Sequence, residues 1–468
     1  MRRARNDNQI LVMTPLILLV TFAWIVLVCA AFVFLPARQA VIVGFLSGWL
    51  FLPVLNYPIA HLPDYSKITV TCLGILFGIL LFDARRVLSF RPRWFDLPML
   101  IWCISPFASS LANGLGVYDG LSSAFAQSLA WGVPYLIGRV YFNDLRGLRE
   151  LASGSFIGGV VYIPLCLYEI IEGPELHHLL YGFYPSPLDM EIRFGGWRPM
   201  VFMYSGLMVG FWMVSATVIG FWLWRSGALS KVSRVQISWL VVALSATTVL
   251  VKSVNAWIYL ILGVALYFAI TRFRTALPMS ALIILIPIYL IVRATGFWGG
   301  DQLLPIAQTV VNADKAQSLR VRFESEVRLS ERAREQPIFG WAGWGRNFVR
   351  DEQGNLLAVT DSLWIIAFGQ YGFVGLTALV VLLLMPIVMF LRQFPIGQWT
   401  TPTLAPATAL VIVLLLYAID NLINAMTNPI FMLAAGGIVG CYYAARLQKA
   451  PLSRRTHITE SILPLPPH

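Results

Sequence analysis

The chain has 468 residues, of which 58% are hydrophobic and 12% are charged, and its formal net charge is +11 at pH 7. Its mean hydropathy is +0.73, which excludes an ordinary soluble domain. The basic residues are scattered over many short loops. This distribution favours anionic lipid headgroups over nucleic acid as their partner, so the lipid bilayer is the first predicted partner.

Apolar segments of about membrane-spanning length follow one another along the chain. A helix needs about 20 mostly apolar residues to cross the hydrocarbon core. The segments lie at residues 10–35, 39–59, 68–82, 97–114, 121–141, 150–171, 199–224, 235–251, 255–271, 277–293, 361–390, 403–419 and 428–446. They predict an all-α polytopic membrane protein.

Basic loops set the predicted orientation, because cytoplasmic loops carry an excess of Lys and Arg. Alternating crossings place in the cytoplasm the basic stretches 85–93, 146–149, 225–234, 272–274, Arg392 and the tail 447–468. Arg2, Arg3 and Arg5 also favour a cytoplasmic N-terminus. With the N-terminus there, alternating crossings place the basic loops in the cytoplasm only if one apolar segment does not cross. Segment 39–59 contains Gly and Pro residues that suit a bent element buried against protein. We therefore predict that it does not cross and that about twelve helices do.

This topology divides the chain into four regions. They are residues 1–293, membrane helices with an outer loop at 172–198; residues 294–360, a large outer loop; residues 361–446, C-terminal membrane helices; and residues 447–468, a cytoplasmic tail. The large loop separates late spans and concentrates arginines. It is therefore the predicted extramembrane site, and its arginines indicate an anionic ligand.

The large loop contains a predicted amphipathic helix at residues 316–335. Apolar side chains recur every four residues from Leu319 to Val327, which is a helical period. Glu324 and Arg328 have the spacing and order of a favourable ion pair on one helix face. The narrow apolar stripe indicates a helix that lies on the membrane-facing side of the protein.

A glycine-aromatic turn follows this helix. Pro337 ends the helix, and the next residues include Gly340, Trp341, Trp344 and Gly345. Glycine allows a tight turn at this point of the loop.

Three charged groups of the outer loops have both a functional and a structural interpretation. Arg193 and Arg198 flank paired glycines and can bind a phosphate, or they can anchor the loop at the membrane interface. Arg320 and Arg322 can bind an anion, or they can form a solvated helix face. Asp361, at the start of the next span, can act as a general base or as a helix cap.

Other candidate groups are weaker. His177 and His178, in the smaller outer loop, are interpreted as solvated side chains that can titrate near neutral pH. The five cysteines lie in apolar segments without the spacing of a metal or redox motif. No carboxylate cluster has metal-ligand spacing, so neither a metal nor a cofactor is predicted.

The order of these motifs resembles that of the O-antigen ligase and Wzy-type polysaccharide polymerase superfamily. Its members have an Arg-led helix in a large periplasmic loop, a Pro-x-x-Gly turn, and then His, ten residues and Gly at the next span. Here Arg322 precedes a Pro-x-x-Gly turn that ends at Gly340, and Asp361 and Gly372 enclose ten residues, with Gly375 further along. The loop resemblance covers roughly residues 315–376, and the layout of spans extends it.

The resemblance implies a GT-C-like glycosyltransferase of the bacterial inner membrane. Its donor would be a polyprenyl-diphosphate-linked oligosaccharide, used on the periplasmic side without metal or cofactor. Other polysaccharide export proteins are partners that the resemblance implies. Asp361 stands where the family has His, and an Asp can accept a proton but cannot be a cation. This departure favours a polymerase of exopolysaccharide or O-antigen over a strict O-antigen ligase.

The resemblance also implies a role for each site residue. Asp361 would deprotonate or orient the acceptor hydroxyl, while Trp341 and Trp344 would stack on sugar faces. Pro337, Gly340, Gly345, Gly372 and Gly375 would shape the motif. The implied diphosphate ligands are Arg193, Arg198, Arg320 and Arg322. Because the leaving diphosphate gains charge, arginines would stabilise it in place of a metal.

Rival functions fit the same architecture. A ligase would transfer the glycan to lipid A core or to another acceptor. A lipid-linked glycan transporter or flippase would share the anionic lipid substrate, although transporters usually show repeated halves and broken helices near mid-membrane. A non-catalytic scaffold of an envelope assembly complex is a further alternative.

Overall fold

The computed structural model describes a single chain of helices. The described residues are 15–57, 64–299, 302, 313–358 and 361–449. The predictions for Arg2, Arg3, Arg5 and the tail after residue 449 therefore lie outside the described residues, as do parts of the large loop.

Almost all regular structure in the described part is helical. The α-helices are α1 (Pro15–Phe34), α2 (Ala37–Phe51), α3 (Lys67–Phe82), α4 (Ala84–Leu88), α5 (Leu97–Ala112), α6 (Val117–Gln127), α7 (Val133–Tyr141), α8 (Leu145–Glu172), α9 (Leu176–Tyr181), α10 (Gly206–Arg225), α11 (Ile237–Leu250), α12 (Val254–Phe273), α13 (Leu277–Ala294), α14 (Ala313–Arg334), α15 (Leu363–Gln393), α16 (Ala405–Asp420) and α17 (Pro429–Lys449). The predicted all-α class is confirmed.

Short antiparallel hairpins and irregular helical turns join these helices. The hairpins pair β1 (Asn56–Tyr57) with β2 (Tyr65–Ser66), β3 (Ile192–Arg193) with β4 (Gly196–Trp197), and β5 (Lys231–Val232) with β6 (Val235–Gln236). The irregular turns are Trp94–Asp96, Ser128–Gly132, Leu188–Glu191 and Ile396–Gln398. The β1–β2 and β3–β4 hairpins contribute residues to the sites described below.

Among the described residues, 6 helices are long and apolar enough to cross a membrane. They are the helices Trp94–Ala112, Leu145–Glu172, Gly206–Arg225, Val254–Phe273, Leu277–Ala294 and Leu363–Gln393. Shorter apolar helices include α2, which has 15 residues and ends at a bend before the β1–β2 hairpin. A membrane protein is thus indicated, while twelve crossings and the side on which each loop lies stay predictions.

The outer surface of the bundle is strongly apolar. Leu19, Ile261 and Leu277 are 66%, 70% and 74% exposed, and many other large apolar side chains are similarly open. A soluble protein rarely exposes so much contiguous apolar surface. Lipid acyl chains are the natural cover for these side chains.

The interior of the bundle is closely packed around α10 and α16. Small residues let neighbouring helices approach, as they commonly do in membranes. A Cβ added to Gly138 in α7 would lie 2.2 Å from the Leu433 oxygen in α17, and one on Gly436 would lie 2.1 Å from the Tyr135 oxygen. The backbones of α7 and α17 therefore touch directly.

Helix α14 confirms the predicted helix of the large loop, which it overlaps closely. It packs against α15 and α13, with Phe323 of the apolar stripe buried. The predicted pair of Glu324 with Arg328 is wrong. Glu324 instead accepts from Arg320 at 2.7 Å, and Arg328 donates to the Leu357 carbonyl at 2.9 Å, an acceptor from a distant part of the loop.

Helix α15 is interrupted at Gly372, whose φ of 63° and ψ of −160° are not helical. The turn of the large loop supplies the hydrogen bonds that the interruption removes. Phe373 N donates to the Pro337 oxygen at 2.7 Å, and Trp341 N donates to the Gly369 oxygen at 2.9 Å. The Pro-x-x-Gly turn and the broken helix are thus one hydrogen-bonded unit.

Two glycines allow this turn to touch the broken helix. Gly340 has a φ of +67°, and a Cβ on it would lie 2.5 Å from the Gln370 carbonyl carbon. A Cβ on Gly372 would lie 2.4 Å from the Ile338 oxygen. Asn113 Nδ2 of α5 also donates to the Gly340 oxygen at 2.8 Å. The contact leaves no room for a side chain at either glycine.

We expect Gly340→Ala to lower the melting temperature of the purified protein more than Gly227→Ala does. Both glycines have a positive φ, +67° and +71°, which costs an L-residue roughly 1–2 kcal/mol. Only Gly340 faces backbone atoms, because nothing lies within 4 Å of a Cβ on Gly227. Equal melting temperatures for the two variants, measured in one detergent, would contradict the docked turn.

Candidate active site

The ion pair of Arg322 and Asp361 joins the loop helix to the start of the next span. Arg322 Nε lies 3.2 Å from Asp361 Oδ2, and the side chains are 29% and 39% exposed. Asp361 does not cap α15, since the cap position belongs to Ser362. The guanidinium and the carboxylate are therefore partly exposed and lie side by side.

A polar cluster lies beside this pair at the end of α16. Tyr259 donates to Asp420 Oδ1 at 3.0 Å, and Asn424 Nδ2 donates to the same oxygen at 2.8 Å. Arg322 is close enough to act electrostatically on the Asp420 carboxylate, and its Nη1 lies within 3.5 Å of the Ile423 oxygen. Asp420 and Tyr259 are thus neighbours of Arg322.

Glu326 fixes the orientation of the helix that carries Arg322. Its carboxylate accepts from Arg293 at 2.7 Å, from Ser362 at 2.7 Å and from Trp364 at 3.3 Å. The Arg293–Glu326 pair is nearly inaccessible, with side chains 1% and 7% exposed. Glu326 is one turn after Arg322, so both residues lie on one face of α14.

The other arginine of this helix, Arg320, lies on its exposed side. Its Nε donates to Glu324 Oε1 at 2.7 Å, and the two side chains are 59% and 48% exposed. The structure therefore does not place Arg320 beside Asp361 as it places Arg322.

Arg193 and Arg198 occupy different environments in the loop at residues 172–198. Arg198 is buried, and its Nε donates to Glu191 Oε2 at 2.6 Å. Arg193 is exposed and its Nη1 donates to the Ile192 oxygen at 2.9 Å. The β3–β4 hairpin thus brings one guanidinium inward and leaves the other at the surface.

Helix α12 connects this hairpin with the polar cluster. Phe194 stacks on Trp257, with ring centroids 5.4 Å apart, and Tyr259 is two residues further along the same helix. Lys252, just before the helix, packs so closely that a Cβ on Gly196 would lie 1.9 Å from Lys252 Nζ. Lys252 is a cation of this region that the sequence patterns did not single out.

The two tryptophans of the glycine turn also differ. Trp341 Nε1 donates to the Arg332 oxygen at 2.7 Å, and the Arg332 guanidinium covers its ring at 3.6 Å. Trp344 is 52% exposed and makes an edge-to-face contact with Phe348 at 5.3 Å. The turn bends through Gly345, whose φ is +86°. The structure therefore offers the Trp344 ring, rather than both faces of Trp341, to a ligand.

The interpretation of His177 as a solvated side chain is wrong. The ring is fully buried, its Nε2 accepts from Val54 N at 3.1 Å, and its Nδ1 donates to the Phe183 oxygen at 2.9 Å. Burial lowers the pKa of His177 to about 4. His178 is the exposed histidine, and it stacks on Tyr184 with ring centroids 4.5 Å apart.

We expect Glu326→Gln to destabilise the protein by roughly 3–5 kcal/mol, because it leaves the buried Arg293 charge without its partner. The matched change Glu324→Gln removes an exposed pair and should cost about 1 kcal/mol or less. Unfolding in mild denaturant compares the two variants. Similar stability losses would show that Glu326 does not anchor the loop helix.

We also expect neutral His177 to make the stability of the loop depend on pH. The folded pKa, about 4, lies below the unfolded value of about 6.5. This contribution is complete above about pH 6.5 and is lost as the pH falls towards 4, and its size is on the order of 3 kcal/mol. Melting temperatures measured between pH 7 and 4 should fall less for His177→Asn than for the original protein. Parallel curves would contradict the buried neutral ring.

Within the described residues, no group of three or more His, Cys, Asp or Glu side chains is arranged to hold a metal ion. No known protein family matches the chain, and no curated protein matches it. The interpretation of the site therefore depends on its own geometry and on the motif resemblance.

Proposed function

We propose that the protein is a membrane glycosyltransferase that polymerises polyprenyl-diphosphate-linked oligosaccharide repeat units. The observation that carries this proposal is the accessible pair of Arg322 and Asp361, 3.2 Å apart at the junction of the loop helix and α15. One member can bind an anionic leaving group and the other can accept a proton. The order of the loop motifs resembles that of polysaccharide polymerases and ligases, which supports the same reaction.

The exposure of each arginine distinguishes a ligand-binding role from a structural role. A half-exposed ion pair contributes roughly 0–1 kcal/mol, so a diphosphate with more than one charge can displace Asp361 from Arg322 at little cost. Breaking the buried pair of Arg198 with Glu191 would leave a buried charge. Arg322 is therefore the principal diphosphate ligand, with exposed Arg193 and half-buried Lys252 as further cations and Arg198 as a support of its loop.

The reaction follows from this assignment. The acceptor hydroxyl oxygen attacks the anomeric carbon of the donor sugar, and the bond from that carbon to the diphosphate oxygen breaks. The diphosphate leaves with the bonding electrons and is stabilised by Arg322. Asp361 takes the proton of the acceptor hydroxyl. A single displacement of this kind inverts the anomeric centre.

The membrane setting suits a lipid-linked donor. The exposed apolar surface of the helices would contact the polyprenyl chain and the lipids, while the site lies where the loop meets the spans. In the proposed topology the loop is periplasmic and the protein lies in a bacterial inner membrane. Other polysaccharide export proteins would receive the product.

A ligase would share the donor and differ in the acceptor. Asp361, in place of the histidine of the ligase motif, favours the polymerase. In this proposal the Asp361 carboxylate accepts a hydrogen bond from the hydroxyl group of the acceptor.

The broken helix α15 is the observation that favours a transporter instead. Transporters often bind substrates or ions at the free backbone groups of such breaks. In this protein the groups at the break bond to the turn, as in Phe373 N to the Pro337 oxygen and Trp341 N to the Gly369 oxygen. Because the break is satisfied internally, the enzyme is the better proposal.

We expect purified protein in lipid vesicles to convert a polyprenyl-diphosphate oligosaccharide into a ladder of repeat multiples. Arg322→Ala and Asp361→Asn should each reduce the rate at least about 100-fold. Arg328→Ala is the matched control, since Arg328 is exposed on the same helix and donates to a loop carbonyl. Gel analysis compares the chain length of the product made by the original protein with that made by each of the three variants.

Other outcomes identify the alternatives. A single transfer to lipid A core, with no ladder, would make the protein a ligase. Normal ladders from Arg322→Ala and Asp361→Asn would remove these residues from the mechanism. In cells, a dead polymerase leaves lipid-linked units on the outer face of the membrane, whereas a dead flippase leaves them on the inner face.

A further inference from the structure

A cavity of about 430 Å³ lies between the β1–β2 hairpin, α5, α6 and the glycine turn. Its wall is rich in uncharged polar side chains and in aromatic rings. The polar residues that matter here are Ser110, Ser122, Ser123, Gln127, Gln370 and Thr427. This composition is that of a site for a ligand with many hydroxyl groups.

Two amide groups of the wall have unused hydrogen-bond donors. The Nε2 atoms of Gln370 and Gln127 are buried and have no hydrogen-bond partner, and Gln370 is only 6% exposed. Each amide nitrogen carries two donors, and a buried donor without a partner is unfavourable. Both residues line the cavity, so a ligand with acceptor oxygens there would lie next to these amide groups.

The aromatic wall supplies flat apolar surfaces. Trp131, Tyr371 and the exposed Trp344 line the cavity. Trp102 packs edge-to-face against both Trp131 and Tyr371 at 5.5 Å, which holds these two rings in place. Aromatic faces together with amide and hydroxyl groups match a pyranose ring, which has an apolar face and polar edges.

The charge of the described cavity wall disfavours a phosphate group inside the cavity. Among the described residues of the wall there is no Lys or Arg, and Asp64 is acidic. Phosphate groups are bound in proteins by cations and by clusters of backbone N–H groups. The cavity thus differs from the Arg322 region, which is cationic and suits a diphosphate.

The segment at residues 423–427 borders both the cavity and the Arg322–Asp361 pair. Thr427 lines the cavity, and Ile423, four residues earlier, lies within 3.5 Å of Arg322. Asn424, between them, accepts from Leu363 N at 3.0 Å, two residues after Asp361. Residues 423–427 therefore connect the cavity with the proposed reaction centre.

We propose that this cavity is the acceptor subsite and that it binds an uncharged saccharide through Gln127, Gln370 and the Trp344 ring. The assignment of the bound saccharide as acceptor rests on the proposed function, while saccharide binding itself does not. A subsite of this kind would select a repeat unit with an uncharged saccharide as the acceptor and would disfavour a phosphorylated core.

The first test identifies the ligand in the native membrane. A photoreactive phenylalanine analogue replaces Ser123 at the cavity wall or, as control, the exposed Gln398, and cells are irradiated before mass spectrometry of the protein. We expect adducts with sugar mass increments at position 123 and none at 398. Adducts of lipid or peptide without sugar, or no adduct at all, would overturn the proposal.

The second test measures acceptor use in the vesicle assay, with acceptor oligosaccharide varied at fixed donor. Gln127→Leu and Gln370→Leu should raise the KM for the acceptor roughly 5- to 100-fold, because each removes a hydrogen-bond donor of the subsite. The KM for the donor should stay unchanged, and Gln398→Leu should change neither value. An unchanged acceptor KM in both cavity variants would overturn the acceptor assignment. Absence of transfer in every preparation would instead contradict the proposed function, and the adducts would still decide whether the cavity binds saccharide.

Discussion

The hydrogen bonds between the turn at residues 337–342 and the interruption of α15 at Gly372 hold the site together. They tie a loop outside the bundle to a membrane helix, and Gly340 and Gly372 permit the contact because neither position has room for a Cβ. Helix α14 ends just before this turn, so docking the turn also restrains the helix that carries Arg322. The same contact places Trp344 at the mouth of the polar cavity.

The ion pairs discussed here are either buried or partly exposed, and the two kinds have different roles. Arg293–Glu326 and Arg198–Glu191 are almost inaccessible, so they fix the loop helix and the smaller outer loop. Arg322–Asp361 is partly exposed, so it contributes little to stability. In the proposed reaction, the buried pairs hold the surrounding structure while a more highly charged ligand opens the accessible pair.

The sequence predicted what depends on local pattern. Four-residue periodicity located the loop helix closely, and the motif spacing identified Gly340 and Gly372 before the structure showed them in contact. Contacts between distant residues could not be predicted, because the spacing of residues does not show that Glu326 pairs with Arg293 or that Arg198 pairs with Glu191. The burial of His177 and the partner of Glu324 were misjudged for the same reason. The cavity draws its wall from several distant segments, and no local signal marks it.

A structure of the protein with polyprenyl diphosphate bound in lipid would test directly whether Arg322 is the diphosphate ligand. We expect diphosphate oxygens within hydrogen-bond distance of the Arg322 guanidinium and a broken Arg322–Asp361 contact, with Asp361 facing the polar cavity. A diphosphate bound elsewhere, with Arg322 and Asp361 still paired, would contradict it.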